Sequence, residues 1–380
     1  MRKLPKIETL VVKVGSNILT NFDKGVNLDF ISGFVSSLSE ARKEIKNIVI
    51  VSSGAVSAGF KLLGFRERPQ SITDKQACAA VGQSRLIWEY EREFEKFGVT
   101  AGQILITKDD LSNRRRYLNA RYTIRRLLEL NVIPIINEND SVVIEELKHI
   151  ENFSDNDNLS ALVSGLIGAD MLLILSDVEG LYDKNPADFD DAVRIPEVKY
   201  INEDLKNVAG DSVSGVGTGG MKSKLEAAGK ALDAGCYVGI INGRKLENIQ
   251  AFLNGEDVGT FFSHIEDPFN RRKHWIAYAA GVSGELHVDK GAVNALINKK
   301  TSLLPSGVTM VKGIFGMGDV VAVYGPDGKE VARGKVRYTS EDADRIKGKK
   351  SSDIPDVLGY KFTDEIIHRD DLVVTVSNGV

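Results

Sequence analysis

The stretch Leu10-Val11-Val12-Lys13-Val14-Gly15-Ser16-Asn17 begins as a short β-branched run and ends in a cation, a glycine and small polar residues. The run predicts a buried β-strand, and the residues after it predict a loop whose backbone N–H groups can face an anion. Taken alone, the same pattern fits an ordinary strand-to-loop turn with a solvated lysine. The rest of the chain has to decide between these two interpretations.

Similar apolar runs recur from residue 9 to about residue 262 and alternate with stretches of helical period. We predict strands at residues 10–14, 48–52, 101–106, 132–136, 171–176 and 237–241. One helical stretch between them has Leu86, Tyr90, Phe94 and Phe97 on a single face. This alternation is typical of a mostly parallel sheet covered by helices. The predicted fold class is therefore α/β, as a three-layer αβα sandwich.

The pattern changes after about residue 264, where helical periods fade and β segments bounded by glycine follow. The string Gly325-Pro326-Asp327-Gly328 predicts a hairpin between strands at 320–324 and 330–336. A chain of 380 residues is long for one core and short for three. We therefore expect an α/β domain over residues 1–265, a linker over 266–283, a small β-rich domain over 284–362 and a C-terminal tail over 363–380.

The composition is that of an ordinary globular protein, with 42% hydrophobic residues, 27% charged residues and a formal net charge of −4. The apolar runs are too short to span a bilayer, and the N-terminus lacks the apolar segment of a secretory signal. We therefore expect a cytoplasmic protein without membrane contact. Cys78 and Cys236 are far apart and the five histidines are scattered, so we expect neither a disulfide framework nor a protein-built metal site.

Small residues follow the second predicted strand, in Ser52-Ser53-Gly54-Ala55. Small residues at a strand-to-helix turn expose backbone N–H groups at the positive end of the helix dipole, which suits a phosphate or a carboxylate. A tight turn with a serine N-cap is an equally good interpretation of this string alone.

Acids and amides follow two further predicted element ends, in Asn137-Glu138-Asn139-Asp140 and in Ser154-Asp155-Asn156-Asp157-Asn158. In a doubly wound sheet, ligands bind beyond the carboxyl ends of the strands, so both groups are expected at one sheet edge. Together they could hold an ammonium group and orient basic residues. The alternative is that they are helix caps and Asx turns.

A glycine-rich segment over residues 214–224 leads into a stretch of helical period and is expected to cradle phosphates. It contains Gly-x-Gly-x-x-Gly at Gly215, Gly217 and Gly220, but a polar segment precedes it where the dinucleotide fingerprint requires a strand. A Walker A motif also fails, because Met221 stands where a glycine has to precede the lysine.

Five strings occur in order along the chain: Val11-Val12-Lys13-Val14-Gly15-Ser16, Val51-Ser52-Ser53-Gly54-Ala55, Ile136-Asn137-Glu138-Asn139-Asp140, Asp155-Asn156-Asp157-Asn158-Leu159-Ser160-Ala161 and Gly217-Thr218-Gly219-Gly220-Met221. Together they resemble the glutamate 5-kinase family of the amino-acid kinase superfamily, and the resemblance runs through nearly the whole chain. Residues 284–362 resemble a PUA domain, which kinases of this family often carry. The resemblance implies the amino-acid kinase fold with a PUA-like C-terminal domain.

The resemblance also implies roles for individual residues. Lys13 and Lys224 would contact the ATP phosphates and stabilise the transferring phosphoryl group, with Asp157 holding both lysines in place. The implied substrate-binding residues are Ser53, Gly54, Asp140, Asn156 and Asp157. The implied ATP-binding residues are Lys13, Gly15, Ser176, Asp177, Thr218, Gly219, Gly220, Met221, Lys222, Ser223 and Lys224. Ser52 and Ser176 stand where many members have threonine, and Lys222 where a small polar residue is common; we expect no change of reaction from them.

The reaction implied by the resemblance is ATP-dependent phosphorylation of the side-chain carboxylate of L-glutamate to L-glutamyl 5-phosphate, the first step of proline biosynthesis. ATP and Mg²⁺ would be the cofactors, proline an inhibitor, and the protein a homo-oligomer. A γ-carboxylate is already ionised at neutral pH, so no general base is needed. The difficulty is to bring two anions together, which requires positioning and positive charge.

Three alternatives remain open. A related small-molecule kinase acting on aspartate, acetylglutamate or a nucleoside monophosphate would share these motifs. An RNA-binding protein would rely on the C-terminal region, where residues 285–380 have 14 basic against 14 acidic side chains, although residues 333–350 have seven against three. An NAD-dependent dehydrogenase would need a functional glycine fingerprint.

Overall fold

The computed structural model of the chain describes residues 2–21, 25–142, 156–186, 188–201, 205, 220–263 and 282–375. The chain divides into two compact units, Met1–Pro268 and Phe269–Val380. Each unit has a sheet and a hydrophobic core of its own. Most of the predicted linker and residues 214–219 of the predicted phosphate segment lie outside the described residues, as do Ser154 and Asp155.

The first unit is built on a mostly parallel sheet, with a small separate hairpin of β2 and β3. Its strands are β1 (Thr9–Val14), β2 (Thr20–Asn21), β3 (Gly25–Val26), β4 (Asn47–Ser52), β5 (Ala101–Ile106), β6 (Ile133–Glu138), β7 (Met171–Ser176), β8 (Glu197–Val198), β9 (Tyr237–Asn242) and β10 (Thr260–Phe262). The eight strands of the main sheet, as far as the chain is described, lie in the order β5-β6-β4-β1-β7-β9-β10-β8. Only the β9–β10 pair in this sheet is antiparallel among the described strands.

Helices cover both faces of this sheet. Their bounds are α1 (Ser16–Leu19), α2 (Leu28–Ala41), α3 (Ala55–Gly59), α4 (Ile72–Glu95), α5 (Lys108–Ser112), α6 (Arg114–Glu129), α7 (Asn156–Ile167), α8 (Met221–Asp233) and α9 (Glu247–Leu253). Successive β1 side chains enter opposite cores, because side chains alternate along a strand. Leu10, Val12 and Val14 pack with α2, α4 and α9, whereas Val11 packs with α6, α7 and α8. The predicted three-layer sandwich is confirmed.

All six predicted strands are present, and their bounds differ from the predictions by two residues at most. The prediction for Phe97 was wrong: α4 ends at Glu95, and Phe97 is 47% exposed. Gly98 causes this ending, because it adopts the left-handed conformation with φ 67°. The Val99 N–H then donates to the Phe94 carbonyl at 3.1 Å, which closes the helix with a Schellman-type turn.

The second unit contains a five-stranded sheet in the order β12-β11-β13-β14-β15, counted over its described residues. Its elements are β11 (Gly284–Val288), α10 (Lys290–Ile297), β12 (Val308–Gly313), β13 (Val320–Tyr324), β14 (Glu330–Val336), α11 (Ser340–Ile346), α12 (Ile354–Leu358) and β15 (Ile367–Val374). The predicted hairpin is confirmed, since β13 pairs antiparallel with β14. Strand β15 pairs with β14 and lies in the segment that we had expected to be a tail. Its apolar pattern is interrupted by Arg369, Asp370 and Asp371, which hides the strand in the sequence.

Candidate active site

The carboxyl end of β1 delivers a lysine to the inside of the first unit. Lys13 shares a strand face with Val11, so the alternation of side chains directs it toward the layer that contains α7 and α8. Its side chain is almost fully buried, with 5% of the residue exposed. Gly15 lies next to this lysine, since a Cβ at position 15 would lie 3.5 Å from Lys13 Nζ, so the lack of a side chain leaves space beside the ammonium group.

Three predicted catalytic residues meet at this point. Lys13 Nζ lies 2.5 Å from Asp157 Oδ1, and Lys224 Nζ lies 3.2 Å from Asp157 Oδ2. Asp157 is 0% exposed and Lys224 is 7% exposed. Asp157 lies in the first turn of α7 and Lys224 in the first turn of α8, so two helix starts and one strand end converge. The two ammonium groups and the carboxylate are all buried, and together they carry a net positive charge.

Burial would raise the pKa of the Asp157 carboxyl, but the two lysine ammonium groups outweigh burial and hold this pKa below its usual value. Asp157 is therefore ionised at neutral pH. A carboxylate whose pKa is lowered is a weak base, so this site is suited to holding charge in place rather than to removing protons.

A second group forms where β4, β6 and α7 meet. The Asn156 Nδ2 group lies 3.0 Å from Ser52 O, 2.6 Å from Ser53 Oγ and 3.1 Å from Asn137 Oδ1, and its two hydrogens are shared among these three acceptors. The two amide-containing loops predicted to converge do so through Asn137 and Asn156. Gly54 turns the chain from β4 into α3 with φ 95°, a left-handed conformation that favours glycine.

Within the described ranges, the other predicted site residues make fewer contacts with these two groups. Asp140 is half-buried and follows the end of β6. Ser176 ends β7 and is 3% exposed, and its Oγ lies 3.4 Å from Oδ1 of the exposed Asp177. In the first turn of α8, Ser223 Oγ lies 3.5 Å from Asp157 Oδ2, and Lys222 is exposed. Gly220 is the N-cap of α8 and Met221 its first residue, whereas Thr218 and Gly219 lie outside the described residues.

Sequence analysis missed Gln83 of α4, whose Oε1 accepts a hydrogen bond from Asn137 Nδ2 at 2.7 Å. Gln83 is 8% exposed. Its only local signal is that it interrupts the apolar face that contains Ala79, Leu86 and Tyr90. A polar side chain on a buried helix face needs a partner, which is the clue that could have identified it.

Sequence analysis also missed a polar group beyond β7 and β9. Glu179 Oε1 accepts from Asn242 Nδ2 at 3.0 Å and from Lys245 Nζ at 2.7 Å. The hydrogen bond from Lys245 is the main reason that the pKa of Glu179 lies below its usual value. Across the part of the chain that the structure describes, no group of three or more His, Cys, Asp and Glu side chains could hold a metal ion.

Comparison with known proteins gives the family. The profile described as Amino acid kinase family matches residues 8–242, and the PUA domain profile matches residues 284–358. The protein named Glutamate 5-kinase from Geobacter sulfurreducens is 48% identical over 371 residues, which cover 98% of each chain. The chain belongs to the glutamate 5-kinase family. Another Glutamate 5-kinase, from Caldanaerobacter subterraneus subsp. tengcongensis, is 44% identical over 366 residues, 96% of this chain and 97% of its own.

Membership of the glutamate 5-kinase family makes the protein a kinase, and kinases of this family use ATP. The predicted combination of an amino-acid kinase fold with a PUA domain is confirmed by the two profile matches. Among solved structures, the isopentenyl phosphate kinase of T. acidophilum is 17% identical, with a TM-score of 0.46, over 67% of this chain and 100% of its own. No helix in the described ranges combines the length and the apolar character needed to cross a membrane.

Proposed function

We propose that this kinase transfers the γ-phosphoryl group of ATP to the side-chain carboxylate of L-glutamate, forming L-glutamyl 5-phosphate as the first step of proline biosynthesis. The observation that carries the proposal is the buried Asp157 held between Lys13 and Lys224. The relatives named Glutamate 5-kinase support the choice of acceptor.

Lys13 and Lys224 are proposed to stabilise the phosphoryl group during transfer. The reaction brings an anionic acceptor to an anionic donor, so charge neutralisation and alignment matter more than covalent chemistry. Both ammonium groups are buried and fixed by Asp157, so they act in a low-dielectric site without reorganising at the moment of reaction. The acceptor carboxylate is already ionised, which agrees with a site that contains an ionised Asp157 and needs no general base.

Ser53, Gly54, Asp140, Asn156 and Asp157 are proposed to bind the amino-acid acceptor. The hydrogen bonds of Asn156 to Ser53 Oγ and to the Ser52 carbonyl support a shared binding surface at the end of β4 and the start of α7. Gly54 supports it as well, because its left-handed conformation turns the chain from β4 into α3 directly after Ser53. Acids and amides at this edge suit an ammonium group.

Gly15, Ser176, Asp177 and the run from Thr218 to Lys224 are proposed to bind ATP. Ser223 and Lys224 support this assignment, because both lie against Asp157 in the first turn of a 13-residue helix. Backbone N–H groups at the start of such a helix favour phosphate.

Mg²⁺ is proposed to enter as the complex with ATP. Both Asp157 oxygens contact lysines, and the described acids form no ligand cluster, so the phosphate oxygens of ATP are the fitting ligands. The ion would lower the negative charge of the phosphates there.

We also propose four properties that rest on the family resemblance and the composition: inhibition by proline, assembly into a homo-oligomer, a cytoplasmic location, and a division into a kinase domain over residues 1–265 and a PUA-like domain that begins at residue 284. Strand β15 pairs with β14 and so belongs to the sheet of this second domain, beyond the boundary at residue 362 expected from the sequence. RNA binding by the second unit has little support in its charges. Of the basic residues in 333–350, Arg333 pairs with Glu330, Arg337 with Glu365, and Lys347 with Asp344.

The test is turnover of ATP with L-glutamate, in which hydroxylamine traps the acyl phosphate as a hydroxamate. L-aspartate, N-acetylglutamate and a nucleoside monophosphate serve as matched acceptors, and ADP release is the common measure of turnover, because a phosphorylated nucleotide forms no hydroxamate. ADP release with glutamate at a kcat/KM well above that of the other acceptors, together with hydroxamate formation from glutamate, is the expected result. A preference for another acceptor would replace the proposed substrate, and NAD binding without turnover would replace the reaction class.

A further inference from the structure

Helices α3 and α4 cross in direct backbone contact, next to Ser53 and Gly54, which are proposed to bind the acceptor. A Cβ atom at Gly82 of α4 would overlap the Ala55 carbonyl oxygen of α3, and one at Gly59 of α3 would overlap the Cys78 carbonyl oxygen of α4. Helix α3 begins directly after Gly54, so this crossing fixes the position of α4 relative to the end of β4. The residue after Gly82 is Gln83, which is therefore held beside the strand ends.

Gln83 begins a short chain of hydrogen bonds that leads to Asn156. Its Oε1 accepts from Asn137 Nδ2 at 2.7 Å, and Asn137 Oδ1 accepts from Asn156 Nδ2 at 3.1 Å. Gln83 and Asn137 are both buried, with 8% and 1% of each residue exposed. Water therefore does not readily replace either partner in this chain.

The chain fixes which way the Asn137 amide points. Its nitrogen faces the Gln83 oxygen, and its oxygen receives both Asn156 Nδ2 and the Glu138 backbone N–H, the latter at 2.9 Å. Rotating this amide by half a turn would place its NH₂ against two donors and its oxygen against an acceptor. The Glu138 backbone N–H is a fixed donor and Gln83 Oε1 is a buried acceptor, so together they favour a single orientation of the Asn137 amide.

The orientation of the Asn137 amide in turn affects the orientation of the Asn156 amide. Among the described residues, the hydrogen bonds of the Asn156 side chain are all made by Nδ2, toward Ser52 O, Ser53 Oγ and Asn137 Oδ1. The amide oxygen of Asn156 is then the group that remains for a ligand. An oxygen accepts hydrogen bonds and attracts positive charge, so it suits an ammonium group and not a carboxylate.

We propose that Gln83 is a positioning residue which, through Asn137, orients the Asn156 amide so that its oxygen faces the ammonium group of the acceptor. The proposal deepens the acceptor assignment made above and rests on it. Gln83 does not touch the substrate; it acts by holding the amide that does.

The test compares Gln83→Met, which keeps the length but loses the strong acceptor, with Gln83→Glu, which keeps an acceptor oxygen at the same reach. We expect Gln83→Met to raise the KM for glutamate about tenfold, with kcat and the KM for ATP changed less than about twofold. Gln83→Glu is expected to stay within about threefold of the wild type, because its oxygen still accepts from Asn137. Circular dichroism and thermal unfolding establish that each variant is folded.

A second measurement separates positioning from a general packing defect. Glutarate has both carboxylates of glutamate but no ammonium group, so its inhibition constant should be the same in the wild type and in Gln83→Met. If Gln83→Met does not fold, Gln83→Asn provides the test, since it keeps an amide but shortens the reach by one methylene. It should show the same loss for glutamate and none for glutarate.

The outcomes distinguish this proposal from the proposed function. A wild-type enzyme that is inactive on glutamate would overturn the proposed function and the ammonium assignment with it. An active wild type together with a folded Gln83→Met of unchanged KM would overturn the role of Gln83 alone. Equal losses for glutamate, glutarate and ATP would mark Gln83 as a packing residue and would also overturn the proposal.

Discussion

Lys13 Nζ lies 2.5 Å from the Oδ1 atom of Asp157, and both side chains are buried in the first unit. The strand that delivers the lysine and the helix that delivers the carboxylate are far apart in sequence, yet α7 packs over the sheet face that Lys13 shares with Val11. Lys224 reaches the other oxygen of the same carboxylate. The two lysines are therefore the residues to substitute first.

Replacing Lys13 or Lys224 by Ala should lower kcat with little change in the KM for glutamate, because each ammonium is proposed to act on charge that moves during transfer. A loss of about 2–4 kcal/mol in transition-state stabilisation is expected. Steady-state kinetics on folded variants measures it. Lys43→Ala is the control, since Lys43 is 70% exposed and pairs with Glu40 on the surface. A near-normal kcat in either active-site variant would contradict the assignment of that lysine.

Replacing Asp157 by Asn should lower the free energy of unfolding by about 3–5 kcal/mol at neutral pH, because it leaves two buried ammonium groups without their anion. The pKa of this carboxyl is lowered in the folded state, so its stabilising contribution is present above the unfolded-state pKa of about 3.9 and is lost as the pH falls through the folded value. Denaturant unfolding of both proteins between pH 7 and pH 3 measures the difference. If the difference in unfolding free energy between the two proteins stays constant over this pH range, Asp157 is not an ionised, lysine-bound carboxylate.

Substituting Asp140 or Asn156 by Ala should raise the KM for glutamate about tenfold or more and leave the KM for ATP nearly unchanged. Both residues belong to the loops after β6 and at the start of α7, apart from the glycine-rich segment. Varying each substrate at saturating levels of the other separates the two constants. An equal rise in the KM for glutamate and the KM for ATP would place these residues in the nucleotide site instead.

Gly54→Ala should destabilise the protein by about 1–2 kcal/mol, because φ at this position is 95° and a Cβ would lie 3.2 Å from Thr20 Cγ2. It should also reduce activity, since Ser53 precedes the strained residue. Gly64→Ala is a matched control: it has φ 80°, but a Cβ there meets nothing within 4 Å. Thermal unfolding and kcat/KM for glutamate should therefore separate the two variants, with activity lost only at position 54. Similar activity in both would remove Gly54 from the site.

A chain shortened to residues 1–268 should fold and phosphorylate glutamate. Every described residue assigned to chemistry lies in the first unit, and within the described part of the chain the two hydrophobic clusters of that unit have no buried member beyond Phe262. Turnover should be measured together with solubility and monodispersity, because newly exposed apolar surface could cause aggregation unrelated to catalysis. A soluble, monodisperse chain that binds ATP without turnover would mean that the second unit supplies something the site needs.

The central strands were predictable because both of their faces are buried, which produces continuous apolar runs such as those in β1 and β7. The edge strand β8 and its neighbour β10 were not predictable, since two and three residues contain too little pattern to identify a strand. Strand β15 was missed for a different reason. Its interior charges mask the period, and Asp371 and the preceding Glu365 both pair with Arg337.

The family resemblance implied that Lys13, Asp157 and Lys224 meet, and this agrees with the general rule that ligands bind beyond the carboxyl ends of parallel strands, at one sheet edge. Gln83 could not be placed in the same way. Its partner Asn137 lies 54 positions later in the chain, and the two meet through the crossing of α3 and α4 and the pairing of β6 with β4. Local sequence indicates which side chains can react, whereas tertiary packing determines which of them are held in place.

The glycine contact between α3 and α4 limits how this protein can evolve. At Gly59 and at Gly82, the three nearest atoms that a Cβ would meet all belong to the backbone of the opposite helix. Every amino acid has those atoms, so no second substitution across the contact can make room for a larger residue. In most protein cores, a substitution to a larger residue can be compensated by a smaller neighbouring side chain. This compensation is not possible at either glycine. A mutational scan should therefore find these two glycines intolerant in every genetic background, whereas Gly64 and Gly98, which face open space, should differ from one background to another.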